Sequence, residues 1–343
     1  MRTLETLLIL ALVIMGLVFG SSFLIPIAIA LLLTTLITGA AERFSRLGLP
    51  TSIAMFSSLS LVILCLVGVF YILSQQIDAL TQVWPRYVAR FQVLTTQTTE
   101  WFGPAISAKV GAVFSNLDLT NRMPRLLGSA GTLFSNSVLV ALYVGFLLAE
   151  RGTIANKLKL LFDTPEKTND ATVILTRLVD SIRDYIWIQS VMSFFTAAVS
   201  YAVLKTLGID FSETWALLIF LLSFIPSIGS VLGVVFPALI ALIQFDTTWQ
   251  FMVIAGLLSM AQFLIGNVIQ PAVMGKTLNL SPFVVMISLA FWATIWGTVG
   301  AFLSVPLTAA IVIACSHVPA WNWLAVLLSE DGRTGNEPGP KAV

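Results

Sequence analysis

The chain has 343 residues, of which 57% are apolar and only 10% are charged. A soluble domain carries about 25% charged residues, so this composition excludes an ordinary soluble protein and predicts a membrane protein. The net charge of +1 provides no excess of basic side chains for a phosphate backbone, which argues against a nucleic-acid-binding protein.

Four apolar stretches have about the length of single membrane crossings. A helix rises about 1.5 Å per residue and the hydrocarbon core is about 30 Å thick, so each crossing needs about 20 apolar residues. In chain order the four stretches are 52–73, 132–149, 186–207 and 248–268. The second of them is slightly short for a full crossing.

Three further apolar stretches are too long for one crossing, and each is interrupted near its middle by glycine, proline or serine. The stretches are 7–37, 214–245 and 283–315, and their interruptions are 20–22, 226–230 and 296–300. Glycine and proline weaken the helical hydrogen-bond ladder, so we predict helical hairpins or broken helices at all three. The predicted fold class is all-α, a polytopic integral membrane protein with about seven to eight transmembrane segments.

The predicted breaks also indicate a site. Irregular backbone at membrane depth survives only where other protein groups or a water-filled cavity satisfy its hydrogen bonds. Transporters use such broken helices to hold their substrates near the midplane of the membrane.

Composition divides the chain into six segments. In order, we predict N-terminal membrane helices at 1–74, an amphipathic extramembrane helical region at 75–131, a membrane helix at 132–149, a charged cytoplasmic helical segment at 150–185, a C-terminal membrane domain with helical hairpins at 186–328, and a disordered tail at 329–343. Apolar residues in the second segment recur at spacings of three and four among charged ones, which is typical of an amphipathic helix.

Basic residues near the ends of the apolar stretches predict the orientation, because lysine and arginine favour the cytoplasm. Arg2, Arg43, Arg151 and Lys276 can all be cytoplasmic if each divided stretch enters the membrane and returns. Both termini are then cytoplasmic and 75–131 lies outside. The basic residues of 75–131 oppose this placement, although longer loops obey the charge rule less strictly.

The side chains that carry most enzyme chemistry are scarce. His317 is the only histidine. A metal-binding His-Glu-x-x-His helix needs two histidines and is therefore excluded, and a Ser-His-Asp triad would have to use His317 as its base. The sequence has no Gly-x-x-x-x-Gly-Lys-Ser/Thr loop for the phosphates of ATP. We therefore predict a protein that is not an enzyme, that uses no metal or other cofactor, and that does not bind ATP.

Uncharged polar side chains lie beside the predicted breaks. Ser227 falls in the second break, and Gln262, Asn267 and Gln270 lie on the apolar stretch that follows. Such groups can bind a small polar solute. They can equally join membrane helices by hydrogen bonds, so both interpretations stay open.

Acidic residues at the ends of the apolar stretches are candidates for binding a coupling ion. Between 214 and 315 only Asp246 and Lys276 are charged, and both fall in predicted connections. Glu213 and Asp246 are the coupling-ion candidates. A solvated position at the boundary of a span is the favoured alternative for each of them, because intramembrane charges are rare.

The C-terminal half carries a series of short motifs in a fixed order. They are Pro-Ser-Ile-Gly-Ser at 226–230, Gly-Asn-Val-Ile-Gln-Pro at 266–271, Met-Gly-Lys at 274–276, Leu-Ser-Pro at 280–282, Phe291-Trp292, Gly297 with Gly300, and Leu-Ser-Val-Pro at 303–306. In this order and spacing the chain resembles the autoinducer-2 exporter family of membrane permeases. The N-terminal pattern is similar as well, so the resemblance covers nearly the whole chain.

The resemblance implies a permease of the bacterial inner membrane that exports autoinducer-2, a small polar signalling molecule of quorum sensing. It also implies a homo-oligomer. The motif positions of the family carry over to Pro226, Gly229, Asn267, Gln270, Pro271, Gly275 and Pro306. These residues either bind the solute or shape the hairpins.

Other functions stay open. Other members of the same family are associated with sodium/proton antiport, in which case Glu213 or Asp246 would be essential. A membrane scaffold that transports nothing would instead use 75–131 to bind a partner. An intramembrane enzyme ranks last, because the catalytic groups are missing.

Overall fold

The computed structural model describes residues 2–102, 137–153, 157, 160–161, 165–274, 279–318 and 320–332. Within these ranges the regular elements are helices, which confirms the predicted all-α fold. They are α1 (Arg2–Phe19), α2 (Ser21–Arg46), α3 (Thr51–Phe102), α4 (Ser137–Glu150), α5 (Pro165–Thr206), α6 (Ser212–Leu222), α7 (Ile228–Gln244), α8 (Trp249–Phe263), a π-helix (Leu264–Ile269), α9 (Gln270–Met274), α10 (Pro282–Ser316) and α11 (Asn322–Leu328).

Several of these helices can cross a membrane. In the described part of the chain, five segments are long and apolar enough: Ser21–Arg46, Thr51–Gln76, Ala171–Thr206, Trp249–Val273 and Pro282–Ser316. The shorter apolar helices α4, α6 and α7 accompany them. Large apolar side chains such as Phe56 and Leu64 of α3 are 72% and 69% exposed. Contact of these side chains with water would be unfavourable, whereas contact with lipid would not. The predicted polytopic integral membrane protein is confirmed.

The first divided stretch is a bent pair of helices. α1 ends at Phe19 and α2 begins at Ser21, and Gly20 between them has φ −83° and ψ 2°. The Gly20 amide donates to the Gly16 carbonyl at 2.8 Å, and the Leu24 amide donates to the Gly20 carbonyl at 2.8 Å. The hydrogen-bond ladder therefore continues through the bend, which lies at the position that the sequence predicts.

The second divided stretch is a helical hairpin made of α6 and α7. Residues 223–227 separate the two helices. A Cβ atom built on Gly233 would lie 3.2 Å from Ile219 Cγ1, whereas a continuous helix would hold these residues about 20 Å apart. A Cβ atom on Gly229 would lie 1.9 Å from the Leu222 carbonyl oxygen, so only glycine fits there. The predicted hairpin is confirmed.

The third divided stretch reverses direction inside α10. Gly297 has φ 61° and ψ −142°, a conformation that side chains with a Cβ rarely adopt. Trp292 Nε1 donates to Thr308 Oγ1 at 3.1 Å across a separation of 16 residues. A straight helix would place these residues about 24 Å apart, so α10 is a hairpin with its turn at Gly297. Gly300 permits the close turn, because a Cβ atom there would lie 1.9 Å from the Trp292 carbonyl oxygen.

We expect Thr308→Val to lower the free energy of unfolding by about 0.5 to 2 kcal/mol, because it removes the acceptor of the buried Trp292 indole at nearly constant shape. Denaturant titration of the purified protein in detergent measures the change. Thr294→Val is the matched control, since Thr294 is exposed and its hydroxyl donates only to Ala290 of its own helix. Equal losses in the two variants would contradict this role of Thr308.

Helix α5 holds the C-terminal bundle together. Its C-terminal part buries Leu204 against Ala238 of α7 and Leu258 of α8. Further towards its N-terminus, Tyr185 packs against Val305 of α10. The face of α5 between these two clusters is therefore enclosed by α6, α8 and α10, and this enclosure positions the site described below.

The long helix α3 is attached to the C-terminal bundle beyond its apolar part. Tyr87 Oη donates to Asp210 Oδ2 at 2.8 Å, and the Arg90 Nη1 atom lies 3.3 Å from Asp246 Oδ1. Burial and the hydrogen bond to Asp210 raise the pKa of Tyr87, so its hydroxyl stays a donor. Residues 103–131 of the predicted extramembrane region lie outside the described residues, and the division of the chain into six segments stays a prediction.

Candidate functional site

A cavity of about 410 Å³ lies where α5, the hairpin of α6 and α7, and the π-helix meet. This volume is within the range of about 300 to 1,000 Å³ that small-molecule sites occupy. Most of its polar lining consists of uncharged amides and hydroxyls: Tyr185, Gln189, Ser193, Thr196, Ser223, Ser227, Ser230, Gln262, Asn267, Gln270 and Asn279. Such a lining inside apolar helices suits a small polar solute.

One face of α5 supplies the deepest polar residues of the cavity. Gln189, Ser193 and Thr196 follow each other at helical spacing and are only 4%, 1% and 4% exposed. Gln189 Nε2 donates to the Ser223 carbonyl at 2.7 Å, and Gln189 Oε1 accepts from Gln270 Nε2 at 2.9 Å. Gln189 therefore joins the break of the α6–α7 hairpin to the residue that follows the π-helix.

The break of the α6–α7 hairpin supplies the second wall. Ser227 has φ 62° and ψ −43°, which is strained for a residue with a side chain and costs about 1 to 3 kcal/mol. Its carbonyl accepts a hydrogen bond from Ser230 Oγ at 2.9 Å, and both serines line the cavity. Strain of this kind clusters at ligand-binding and switching sites.

The π-helix supplies the third wall. It spans Leu264–Ile269, and its residues Gly266 and Asn267 line the cavity. A π-turn inserts an extra residue into a helix, and such turns are frequent at functional sites. Here it continues α8 directly into the segment that begins with Gln270, so Asn267 and Gln270 both reach the same cavity.

Gln262 lines the cavity, but its amide nitrogen is packed against α7. Its Nε2 atom is buried and has no hydrogen-bond partner among the described residues. Gly233 makes room for this amide, because a Cβ atom there would lie 3.0 Å from Gln262 Nε2. A buried donor without an acceptor costs about 1 to 3 kcal/mol, and the packing of α8 against α7 offsets this cost.

The structure brings five of the predicted site residues together. Pro226, Ser227, Gln262, Asn267 and Gln270 line the cavity. Sequence reasoning missed Gln189, Ser193 and Thr196, although a signal existed. Three polar residues at spacings of four and three on an apolar span mark one polar helix face.

The other motif residues lie around the cavity or elsewhere. Gly229 is buried in the first turn of α7. Pro306 is buried in α10, next to Val305, which lines the cavity. Pro271 is exposed on α9, and Gly275 lies outside the described residues.

The two coupling-ion candidates lie apart from the cavity lining. Glu213 Oε1 accepts from Lys205 Nζ at 2.7 Å. Asp246 is paired with Arg90, and its side chain is 93% exposed. Neither acid is among the residues that line the cavity. Glu213 and Asp246 are therefore ion-paired residues near the ends of helices.

The end of the described chain lies at the rim of the cavity. Leu280 and Ser329 form an isolated antiparallel bridge. The Ser281 amide donates to the Leu328 carbonyl at 3.1 Å, and the Glu330 amide donates to the Asn279 carbonyl at 3.2 Å. Asn279, Leu280 and Glu330 all line the cavity.

The fold and the cavity together define a polytopic helical membrane protein with a polar site between broken helices, the arrangement found in transporters. Residues 7–320 match the model of the AI-2E family transporters, and the chain belongs to that family. The resemblance inferred from the sequence motifs is confirmed.

Individual relatives are similar over nearly the full length. The chain is 28% identical over 332 residues to the AI-2 transport protein TqsA of Escherichia coli (strain K12), which covers 94% of this chain and 93% of that protein. It is 28% identical over 348 residues to a putative transport protein of Haemophilus influenzae, with 96% of each chain covered. A putative transport protein of Borreliella burgdorferi is 35% identical over 191 residues, 55% of this chain and 52% of that protein. All three names describe transport proteins.

Proposed function

We propose that this protein is a bacterial inner-membrane permease that exports a small polar solute, with autoinducer-2 the leading candidate. The observation that carries the proposal is the cavity of about 410 Å³, lined by amides and hydroxyls and enclosed by apolar helices. The name of the Escherichia coli relative supports autoinducer-2 as the solute. Transport is driven by an ion gradient or is facilitated diffusion.

Four side chains bind the solute in this proposal. Gln262 lines the cavity and contributes a polar contact from the end of α8. Asn267, Gln270 and Ser227 complete the polar contacts from the π-helix and the hairpin break. Gln189 positions Gln270 through the hydrogen bond between their amides.

Movement of the divided helices exposes the cavity to the two sides in turn. The strained backbone at Ser227 and the π-helix at Leu264–Ile269 are the elements that can change conformation, because both depart from regular α-helix. The cytoplasmic placement of both termini that the basic residues predict requires the chain to return at every divided stretch, and the bend at Gly20 is not such a return. The family resemblance supports a homo-oligomer, for which the exposed apolar side chains of α3 offer a surface.

Flux in proteoliposomes that contain only this protein tests the proposal. We expect movement of autoinducer-2 above that of empty vesicles. A pH or sodium gradient that drives the flux would name the coupling ion, and flux that ignores both gradients would indicate a facilitator. Proton or sodium movement without autoinducer-2 flux would contradict the proposal in favour of an antiporter. The absence of all three fluxes would contradict it in favour of a scaffold.

We expect Asn267→Ala to lower autoinducer-2 flux by about three- to tenfold, which corresponds to the loss of one hydrogen bond of about 0.6 to 1.4 kcal/mol. The amount of protein in the membrane should not change, because Asn267 is exposed within the chain and lines the cavity. Asn322→Ala, at the exposed start of α11, is the matched control and should keep normal flux. Normal flux in both variants would rule out Asn267 as a binding residue.

A further inference from the structure

Glu330 differs from every other described residue of the cavity lining. It is the one side chain among them that carries a charge at neutral pH, whereas the others are apolar or uncharged and polar. Within the described chain, none of the ion pairs includes Glu330. Its carboxylate is therefore not neutralised by a described lysine or arginine.

The backbone fixes Glu330 at the rim of the cavity. Its amide donates to the Asn279 carbonyl at 3.2 Å, and the preceding residue, Ser329, pairs with Leu280. Glu330 is exposed, whereas Gln189 on the wall formed by α5 is 4% exposed. The carboxylate consequently lies at the open side and the amide at the closed side.

This rim faces water. Glu330 is followed by Asp331 and Gly332, which are also exposed. Two neighbouring carboxylates in contact with lipid would be strongly disfavoured, so this end of the chain lies at a membrane surface. A solute that enters or leaves the cavity on this side passes the Glu330 carboxylate.

We propose that Glu330 selects against anions at the entrance of the cavity, so that the transported solute is uncharged or cationic. A fixed negative charge beside apolar walls repels anions and attracts cations more strongly than it would in bulk water. The inner lining supplies no described positive charge to compensate an anion. The inference rests on the proposed function, because it takes the cavity as the path of the solute.

The modification rate of a thiol inside the cavity tests this filter without any need for transport. The chain has two cysteines, and replacing them by Cys65→Ser and Cys315→Ala leaves a background without thiols. Ser230→Cys then places one thiol in the lining. Cationic and anionic methanethiosulfonates of similar size are reacted with this thiol, and the ratio of their rates is compared with and without Glu330→Gln.

We expect Glu330→Gln to lower the ratio of cationic to anionic rates about fivefold, since one unit charge acts in opposite directions on the two reagents. Asp331→Asn is the matched control. It removes the same charge one residue away, at a side chain that does not line the cavity, and the new amide can still accept from Asn279 Nδ2. Its ratio should stay near that of the parent, and Glu330→Asp should also keep the parent ratio.

Three results would overturn the inference. The first is an unchanged ratio in Glu330→Gln, provided that the variant elutes as the parent does in size-exclusion chromatography. The second is an equal fall in Asp331→Asn, which would indicate a general surface potential. The third is the absence of reaction with either reagent at Ser230→Cys and at a second thiol, Ser227→Cys. Because none of these measurements depends on flux, the filter can fail while autoinducer-2 transport is still observed, and the reverse also holds.

Discussion

Gly229→Ala is expected to prevent the α6–α7 hairpin from forming and to remove most folded protein from the membrane. The added Cβ atom would lie 1.9 Å from the Leu222 carbonyl oxygen, far inside van der Waals contact, and that oxygen belongs to backbone rather than to a flexible side chain. Separating the limbs would open the wall that Ser227 gives to the cavity. We expect destabilisation by about 3 kcal/mol or more, measured as membrane abundance and by denaturant titration in detergent.

Gly256→Ala is the control for this variant. Gly256 lies in α8, and a Cβ atom there meets nothing within 4 Å. Alanine favours a helix over glycine by about 1 kcal/mol, so this change should be neutral or slightly stabilising. Similar abundance of the two variants would contradict the close approach of the hairpin limbs at Gly229.

Gln189→Leu is expected to lower flux per folded protein about 10- to 30-fold. Leucine keeps most of the volume, but it leaves the Ser223 carbonyl and the Gln270 amide without their partner, each worth about 1 kcal/mol. Gln270 then loses the geometry in which it faces the cavity. Transport in proteoliposomes, normalised to the folded fraction, measures the effect.

Two further variants separate positioning from general packing. Gln189→Glu can still accept from Gln270 but cannot donate to the Ser223 carbonyl, so it should also lose flux. Ser190→Ala, one residue further on the same helix, removes only a hydroxyl that donates to Ile186 and should keep normal flux. Normal flux in Gln189→Leu, or an equal loss in Ser190→Ala, would contradict the role given to Gln189.

The broken helices could be predicted because their cause is local. Gly20, the residues from Pro226 to Ser230, and Gly297 each interrupt an apolar stretch that is too long for one crossing. In all three cases the break lies where a Cβ atom is excluded or where the backbone leaves helical values. The sequence could not distinguish a bend at Gly20 from a reversal at Gly297, because that depends on contacts such as Trp292 with Thr308.

Half of the site could be predicted for the same reason. Ser227, Asn267 and Gln270 stand next to a break or a proline and attract attention as polar groups in apolar stretches. Gln189 lies inside a regular helix that shows no break, and its partners at Ser223 and Gln270 are distant in sequence. Only the packing of α5 against the hairpin reveals its position.

The π-helix and the C-terminal bridge could not be predicted at all. No residue type in Leu264–Ile269 requires a π-helix, since the same residues also fit an α-helix. The pairing of Leu280 with Ser329 joins parts of the chain that are separated by the whole of α10 and α11. Glu330 becomes part of the cavity only through this long-range contact.

The central claim is that the polar cavity is the solute-binding site, and protection of a cavity thiol by the solute tests it most directly. In the background without native cysteines, Ser230→Cys is modified with and without saturating autoinducer-2, and Thr247→Cys in the exposed connection between α7 and α8 serves as the reference. The account predicts that autoinducer-2 slows modification at 230 several-fold and leaves the rate at 247 unchanged. Unchanged rates at both positions, in vesicles that transport autoinducer-2, would contradict it and would place the pathway outside this cavity.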